Sequence, residues 1–93
     1  MLVRYEIHDI DGINFYFKQD LNPVNNQYEP HIWIRHLIEP EQAIVAYLNI
    51  SSQSYNKQYK RFEAYSETDE LHVWYNFIKK NTNRVLVITA FKV

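Results

Sequence analysis

The sequence predicts an α+β domain in which a mainly antiparallel sheet of about five strands carries one or two short helices on one face. Three observations predict this class. Two alternating segments near the start are joined by a turn, an apolar stripe with helical spacing follows, and further alternating segments close the chain. The predicted order of elements is β-β-α-α-β-β-β.

The composition is that of one globular domain, residues 1–93. Hydrophobic residues make up 46% of the chain and charged residues 23%, a balance that allows a buried core. Glycine occurs once and proline three times, so the composition excludes disordered and collagen-like proteins.

The first two strands form a predicted hairpin. Apolar and polar residues alternate over residues 2–8 and again over 13–18, which is typical of half-buried strands. Asp11 and Gly12 between them are the usual signal of a tight hairpin turn. Residues 20–30 are rich in Asn and Pro, and we predict a loop there.

The middle of the chain is the helical part. Pro40 suits the first turn of a helix and Glu41 favours its positive end. The apolar residues that follow recur at helical spacing: Ala43, Ile44, Tyr47 and Leu48. Residues 31–37 alternate like a strand but also share a helical face; because a helix follows directly, we favour a short first helix.

Three strands are predicted after a polar loop at residues 55–57. They cover residues 61–65, 71–77 and 85–91, with a polar turn at 79–83 before the last. The last strand is apolar on both sides, which predicts a central position under a helix. Strict alternation puts four residues of that strand on one face: Val85, Val87, Thr89 and Phe91.

Several function classes are excluded or disfavoured by composition. Without cysteine there is no disulfide, thiolate zinc site or cysteine nucleophile, and a single glycine excludes glycine-rich phosphate loops. His31 and His36 are five residues apart and face different ways, so we expect no metal and no cofactor. The start lacks a signal peptide, and the longest apolar run is far short of the ~20 residues that span a bilayer. We therefore expect a soluble cytoplasmic protein that does not bind membranes.

Charge is distributed unevenly along the chain. The net charge is −1, yet residues 1–41 carry 3 basic and 7 acidic side chains, and residues 42–93 carry 7 basic and 4 acidic ones. The halves therefore hold −4 and +3. Either the basic half offers a positive face to a phosphate backbone, or the two halves neutralise each other across one sheet.

The densest polar group is His31-x-x-x-Arg35-His36. On a helix, His31 and Arg35 are one turn apart and project side by side. An imidazole can remove the proton of a ribose 2′-hydroxyl, and a guanidinium can hold the phosphate that the hydroxyl attacks. These are the groups needed to cleave RNA. Alternatively, both are solvated helix residues and Arg35 pairs with Glu39.

A second group lies at residues 59–65. Lys60 and Arg61 stand beside tyrosines, and Arg61 shares a strand face with Tyr65, a combination that suits stacked bases and phosphates. Alternatively, Arg61 pairs with Glu63 or Glu70 in a cross-strand ladder.

Two further polar or aromatic features remain ambiguous in the sequence. His72 and Trp74 share the face opposite Val73, where we expect Trp74 to be a core residue under a helix. The hydroxyl of Thr89 either bonds locally or points into a site.

The order of these segments resembles the small RNase toxins of the RelE-like superfamily, which includes barnase- and EndoU-type nucleases. The resemblance covers residues 31–92: the His-x-x-x-Arg-His segment, the Pro-Glu-started helix, and strands ending in Arg-Val-Leu-Val-Ile-Thr-Ala-Phe. It implies that His31 is the general base or acid and that Arg35 and Arg61 bind phosphate. It also implies that Thr89 or Tyr65 donates a hydrogen bond, and we add His36 and Lys60 to the substrate-binding set.

The sequence thus leads to two functional hypotheses. One is a metal-independent, toxin-like endoribonuclease that cleaves RNA by 2′-hydroxyl attack and has a cognate antitoxin. The other is a non-catalytic inhibitor, immunity or antitoxin-type protein of the kind that phages encode. It would bind a protein partner through the acidic front half and four aromatic anchors: Tyr16, Tyr28, Trp33 and Tyr47.

Overall fold

A computed structural model describes residues 3–79 and 83–92. The chain forms strands β1 (Arg4–Ile10), β2 (Ile13–Asn22) and β3 (Gln27–Pro30), helices α1 (His31–His36) and α2 (Pro40–Leu48), and strands β4 (Ser52–Asn56), β5 (Arg61–Ser66), β6 (Leu71–Phe77) and β7 (Arg84–Lys92). The α+β class and both helices are confirmed, but the sheet has seven strands rather than about five. The predicted turn at 79–83 includes residues 80–82, which lie outside the described residues, as does residue 2 of the predicted first strand.

The sheet is mostly antiparallel and open. Its strand order is β1-β2-β7-β6-β5-β4, with β3 paired to the end of β2. The pairing of β2 with β7 is parallel and all others are antiparallel. Strand β7 therefore lies between β2 and β6, which confirms its predicted central position.

The first hairpin forms as predicted. Asp11 and Gly12 have φ values of 53° and 76°, and Ile10 pairs directly with Ile13. Two consecutive left-handed residues match the right-handed twist of the flanking strands, which is why Asp-Gly favours such a turn.

The loop predicted at residues 20–30 is confined to a turn at 23–26, and of the loop predicted at 55–57 only Lys57 lies outside a strand. Strand β2 continues to Asn22 and returns as β3, and β4 ends only at Asn56. The asparagines that suggested a loop build the β2–β3 turn, where the Asn22 side chain accepts the Val24 N–H at 3.0 Å. Each added strand pairs with one other strand and buries little, so it carries no apolar alternation.

Each helix is bounded by local signals. Helix α1 follows Pro30 and is capped after His36 by Leu37, which adopts a left-handed φ of 56°. Helix α2 begins with Pro40 after a capping box between Glu39 and Gln42. Within the described residues, neither helix is long and apolar enough to cross a membrane.

The core lies on one face of the sheet. It joins buried strand residues to buried residues of both helices: Phe15, Phe17, Ala64, Leu71, Val73, Tyr75, Val85, Val87 and Ala90 from strands, and Ile32, Ala43, Ile44 and Ala46 from helices. Because side chains alternate along a strand, the residues between these point to the other face, which we call the open face. Its members include Tyr5, Ile7, Tyr16, Lys18, Asp20, Leu86, Arg84, Thr89, Phe91, His72, Trp74, Asn76, Arg61, Glu63 and Tyr65.

Candidate functional site

Aromatic rings from three neighbouring strands meet on the open face. Tyr65, His72 and Phe91 are cross-strand partners, and we call them the ring row. The ring centroids of Tyr65 and His72 are 4.7 Å apart, and those of His72 and Phe91 are 4.8 Å apart with the planes only 17° from parallel. Trp74 meets Phe91 edge-on at 5.1 Å. The rings are half-buried, so each keeps a surface exposed to solvent.

A β-bulge in β7 brings Thr89 and Phe91 to the open face. The register shifts between Trp74, which pairs with Thr89, and Tyr75, which pairs with Val87, so Ile88 has no partner across the ladder. An extra residue in one strand reverses the alternation beyond it. The prediction that Thr89 shares a face with Val87 is therefore wrong. After the bulge, Thr89 and Phe91 point to the open face, whereas Val85 and Val87 before it point to the core.

The expectation that Trp74 is a helix-covered core residue is also wrong. Helix α2 packs on the side of Val73 and Tyr75, which are buried, whereas Trp74 is half-buried on the open face. The guanidinium of Arg61 lies 3.9 Å above the Trp74 ring and also 4.7 Å from the Tyr59 ring. A cation over an indole face is attracted by the ring quadrupole, so Arg61 is held flat on the open face.

The pairing of Arg61 with Glu63, the alternative to a nucleotide-binding role, is present, but within strand β5 rather than in a cross-strand ladder. The Arg61 Nε donates to Glu63 Oε2 at 2.9 Å, and Asn56 Nδ2 donates to the same oxygen at 3.0 Å. The hydrogen bond from Arg61, and then that from Asn56, hold the pKa of Glu63 below its ordinary value. Because this bond uses only Nε, the terminal guanidinium nitrogens can still donate to a ligand.

An open groove of about 610 Å³ runs along these rings. It is lined by residues of four strands: Ser52, Gln53, Ser54, Glu63, Ala64, Tyr65, His72, Trp74 and Phe91. Hydroxyl and carboxylate groups from β4 and β5 thus stand beside stacked rings from β6 and β7. Of the predicted site residues, Tyr65 alone lines the groove.

Helix α1 contributes two histidines at the margin of the open face. His31 Nδ1 lies 2.5 Å from Oδ2 of Asp20, an open-face residue of β2. The Lys18 Nζ is 3.8 Å from the other oxygen of Asp20. His36, at the other end of the helix, has its ring centroid 6.0 Å from that of Phe91. Both predicted histidines therefore contact residues of the open face.

The other predicted residues occupy distinct positions. Arg35 is exposed on α1, and the alternative Arg35–Glu39 ion pair is absent from the described part of the chain. Lys60 is an exposed turn residue with φ 52°, and its carbonyl accepts a hydrogen bond of 2.6 Å from Asn76 Nδ2. The open face thus joins Arg61, Tyr65 and Thr89, while Arg35 and Lys60 lie outside the ring row and groove.

Sequence reasoning missed the central residues of this site. Alternation groups His72 and Trp74 correctly on one side of β6, but the expectation that a helix covers this side is wrong. A signal that could have corrected this is the side chain pattern of β5, where Arg61, Glu63 and Tyr65 alternate with Phe62 and Ala64. Cross-strand pairing puts the polar set beside His72 and Trp74.

The aromatic residues suggested as anchors for a protein partner are divided between core and surface. Tyr47 packs edge-on against Phe15 and Tyr75, with ring centroids 5.2 and 5.0 Å away, so it belongs to the core margin. Tyr28 is exposed, with the Arg4 guanidinium 4.1 Å from its ring. Tyr16 lies on the open face.

Comparison with known proteins identifies no relative. The chain matches no known family model, no curated protein and no solved structure. Among residues 3–79 and 83–92, no three His, Asp or Glu side chains come together in a way that could hold a metal ion. The chemistry of the open face is therefore the basis for a proposed function.

Proposed function

We propose that this protein binds single-stranded RNA on its open face and cleaves it without a metal ion, by attack of a 2′-hydroxyl on the adjacent phosphorus. The observation that carries the proposal is the ring row beside Trp74, with the Arg61 guanidinium on the indole. Single-stranded bases stack on exposed aromatic side chains, and each stack contributes about 1–3 kcal/mol. The terminal nitrogens of Arg61 can bind the phosphate between two stacked bases.

The charge of the open face is compatible with this ligand even though the whole chain carries −1. Three basic side chains, Lys18, Arg61 and Arg84, lie on the open face. Asp20 and Glu63 accompany them, so electrostatic attraction to the phosphates is modest. Binding then depends chiefly on stacking, which is independent of base identity because every base has a π-face.

Cleavage in this proposal depends on His31 as the general base. The hydroxyl proton passes to the imidazole as the bond from the 2′-oxygen to phosphorus forms. The bond from phosphorus to the 5′-oxygen breaks, and that oxygen takes a proton from water. Arg35, one helical turn from His31, is the proposed ligand for a non-bridging phosphate oxygen, and the Thr89 hydroxyl is a proposed hydrogen-bond donor. An antitoxin-type partner would act by covering the same face.

An assay on labelled RNA in excess chelator tests the proposal. Wild-type protein should cut the RNA and leave a 2′,3′-cyclic phosphate, and His31→Ala should cut about 10²–10⁴-fold more slowly. His8→Ala is the matched control, because His8 lies on the core side of β1 with its ring against Phe17. Equal cleavage by wild type and His31→Ala would overturn the catalytic role, and the absence of RNA binding would overturn the whole proposal.

A further inference from the structure

We propose that Asp20 is a positioning residue for His31: its carboxylate holds the imidazole in the tautomer that leaves Nε2 able to accept a proton. This inference rests on the proposed function, because it concerns the base of the proposed cleavage. Asp20 does not touch the reacting atoms in this scheme and acts only through the histidine ring.

The contact between the two side chains is short and specific. His31 Nδ1 lies 2.5 Å from Asp20 Oδ2, and the two side chains are 31% and 38% exposed. An ionised carboxylate can only accept hydrogen bonds, so the nitrogen that faces it carries the ring proton. In a neutral imidazole the other nitrogen, Nε2, then has the free lone pair.

The fold fixes this pair through an arrangement that spans two strands and a helix. Asp20 pairs with Glu29 across β2 and β3, and His31 follows directly on the last residue of β3. The side chain of Asp20 belongs to the open face because it alternates with buried Phe17 along β2. The ring of His31 is thereby drawn from α1 toward the face that carries the ring row.

The pair has a clear consequence for proton transfer. When Nε2 takes the 2′-hydroxyl proton, the ring becomes a cation whose charge lies next to the Asp20 carboxylate. Lys18 Nζ lies 3.8 Å from the other carboxylate oxygen, so the Asp20 side chain stands between the Lys18 cation and the imidazole. In known triads, a carboxylate in this position orients the imidazole and stabilises its cation without itself taking the proton.

The chain contains a matched control pair on the other side of the sheet. His8 Nε2 lies 2.7 Å from Glu6 Oε2, and both side chains face the core side of β1. The same two chemical groups thus meet at similar distance, half-buried, but away from the open face. A variant at Glu6 reports the effect of breaking a carboxylate–imidazole pair that has no access to the proposed substrate.

The experiment compares wild type, Asp20→Asn and Glu6→Gln by steady-state cleavage of a short RNA, and reads histidine tautomers from the ¹⁵N shifts of the rings. The amide of Asp20→Asn can donate to Nδ1, which moves the ring proton to Nε2. We expect kcat to fall about 10²–10⁴-fold while KM changes less than about threefold, because the tautomer is wrong but RNA still stacks. Glu6→Gln should leave both kcat and the His31 signals unchanged.

Several results would overturn the role of Asp20. They are full cleavage by Asp20→Asn, an unchanged His31 tautomer in that variant, or a wild-type ring that already carries its proton on Nε2. The last reading needs only wild-type protein and decides the question even if Asp20→Asn does not fold. Absence of cleavage by wild type is a different result, because it overturns the proposed function itself.

Discussion

Tyr65→Ala tests whether the ring row is the RNA-binding surface. The Tyr65 ring lines the groove and stands 4.7 Å from His72, so the substitution removes one stacking surface from the end of the row. At about 1–3 kcal/mol per stacked base, the dissociation constant for single-stranded RNA should rise about 5- to 150-fold. The fold should persist, because Tyr65 lies outside the core.

The measurement is fluorescence anisotropy of a labelled, fully 2′-O-methylated RNA, which the protein cannot cleave by 2′-hydroxyl attack. The salt concentration is held near 0.15 M, since affinities for nucleic acids depend on it. Tyr55→Ala is the matched control. Tyr55 is exposed on the neighbouring strand β4, but it pairs with Phe62 and contacts that ring, so it lies on the core side.

We expect Tyr55→Ala to bind RNA within about twofold of wild type, since stacking energy is lost only where a base stacks. Thermal melting of both variants establishes that each is folded at the temperature of the titration. Wild-type affinity in Tyr65→Ala would refute the reasoning. An equal loss in both variants would also refute it, because it would show that the weakening does not arise on the open face.

Three further predictions concern charge and pH. Glu63→Gln should make the free energy of unfolding depend less on pH in the acid range. Hydrogen bonds from Arg61 and then Asn56 lower the pKa of Glu63 below 4.5. The stability that Glu63 contributes is therefore present above that pH and is lost as pH falls through the lowered value. Urea unfolding of wild type and Glu63→Gln near pH 7 and near pH 3 measures this. An equal loss of unfolding free energy in both proteins between these pH values would contradict it. Tyr75→Phe should make the free energy of unfolding depend less on pH in the alkaline range. Burial and then Tyr47 raise the pKa of Tyr75 above 10.0. The stability that depends on the neutral Tyr75 side chain is therefore complete below that pH and is lost as pH rises through the raised value. Urea unfolding of both proteins near pH 8 and near pH 11 tests it. An equal loss of unfolding free energy in wild type and Tyr75→Phe would count against burial as the cause. Finally, the three open-face cations predict that the logarithm of RNA affinity falls with the logarithm of salt concentration with a slope of about −2. Arg61→Gln should reduce the magnitude of this slope by about 0.7. An unchanged slope would show that Arg61 contacts no phosphate.

Local patterns predicted those elements whose signals are local. The Asp11–Gly12 turn and the proline at the start of α2 act through nearest neighbours, so sequence reveals them. Strands β3 and β4 could not be predicted in this way. Neither buries an apolar face, and each is held by backbone hydrogen bonds to the strand next to it in sequence, β2 or β5, so no apolar alternation marks it.

The candidate site was only partly predictable for a related reason. Both sides of β7 are apolar, so alternation alone cannot show which side a helix covers. The bulge at Ile88 then reverses the alternation, and nothing in the sequence Val-Leu-Val-Ile-Thr marks its position. Arg61 and Tyr65 were predicted correctly to share a face. The partner of His31 was missed because Asp20 lies 11 residues earlier and meets it only through the β2–β3 hairpin.

The distribution of ion pairs bears on the choice between RNA and a protein partner. If the acidic and basic halves neutralised each other, pairs would join residues 1–41 to residues 42–93. Four ion pairs each stay within one half: Glu6–His8, Lys18–Asp20, His31–Asp20 and Arg61–Glu63. These four pairs therefore leave the charge difference between the halves in place.

Tyr, Trp and Arg are enriched at protein interfaces as well as on surfaces that bind single-stranded RNA, so the residue types of the open face suit both hypotheses. Arg61 on Trp74 provides a cation beside the ring row, next to the rings on which bases would stack. An inhibitor that used this face should lose its partner in Trp74→Ala yet show no affinity for RNA as wild type. The RNA titration of the unmodified protein therefore separates the two hypotheses before any variant is made.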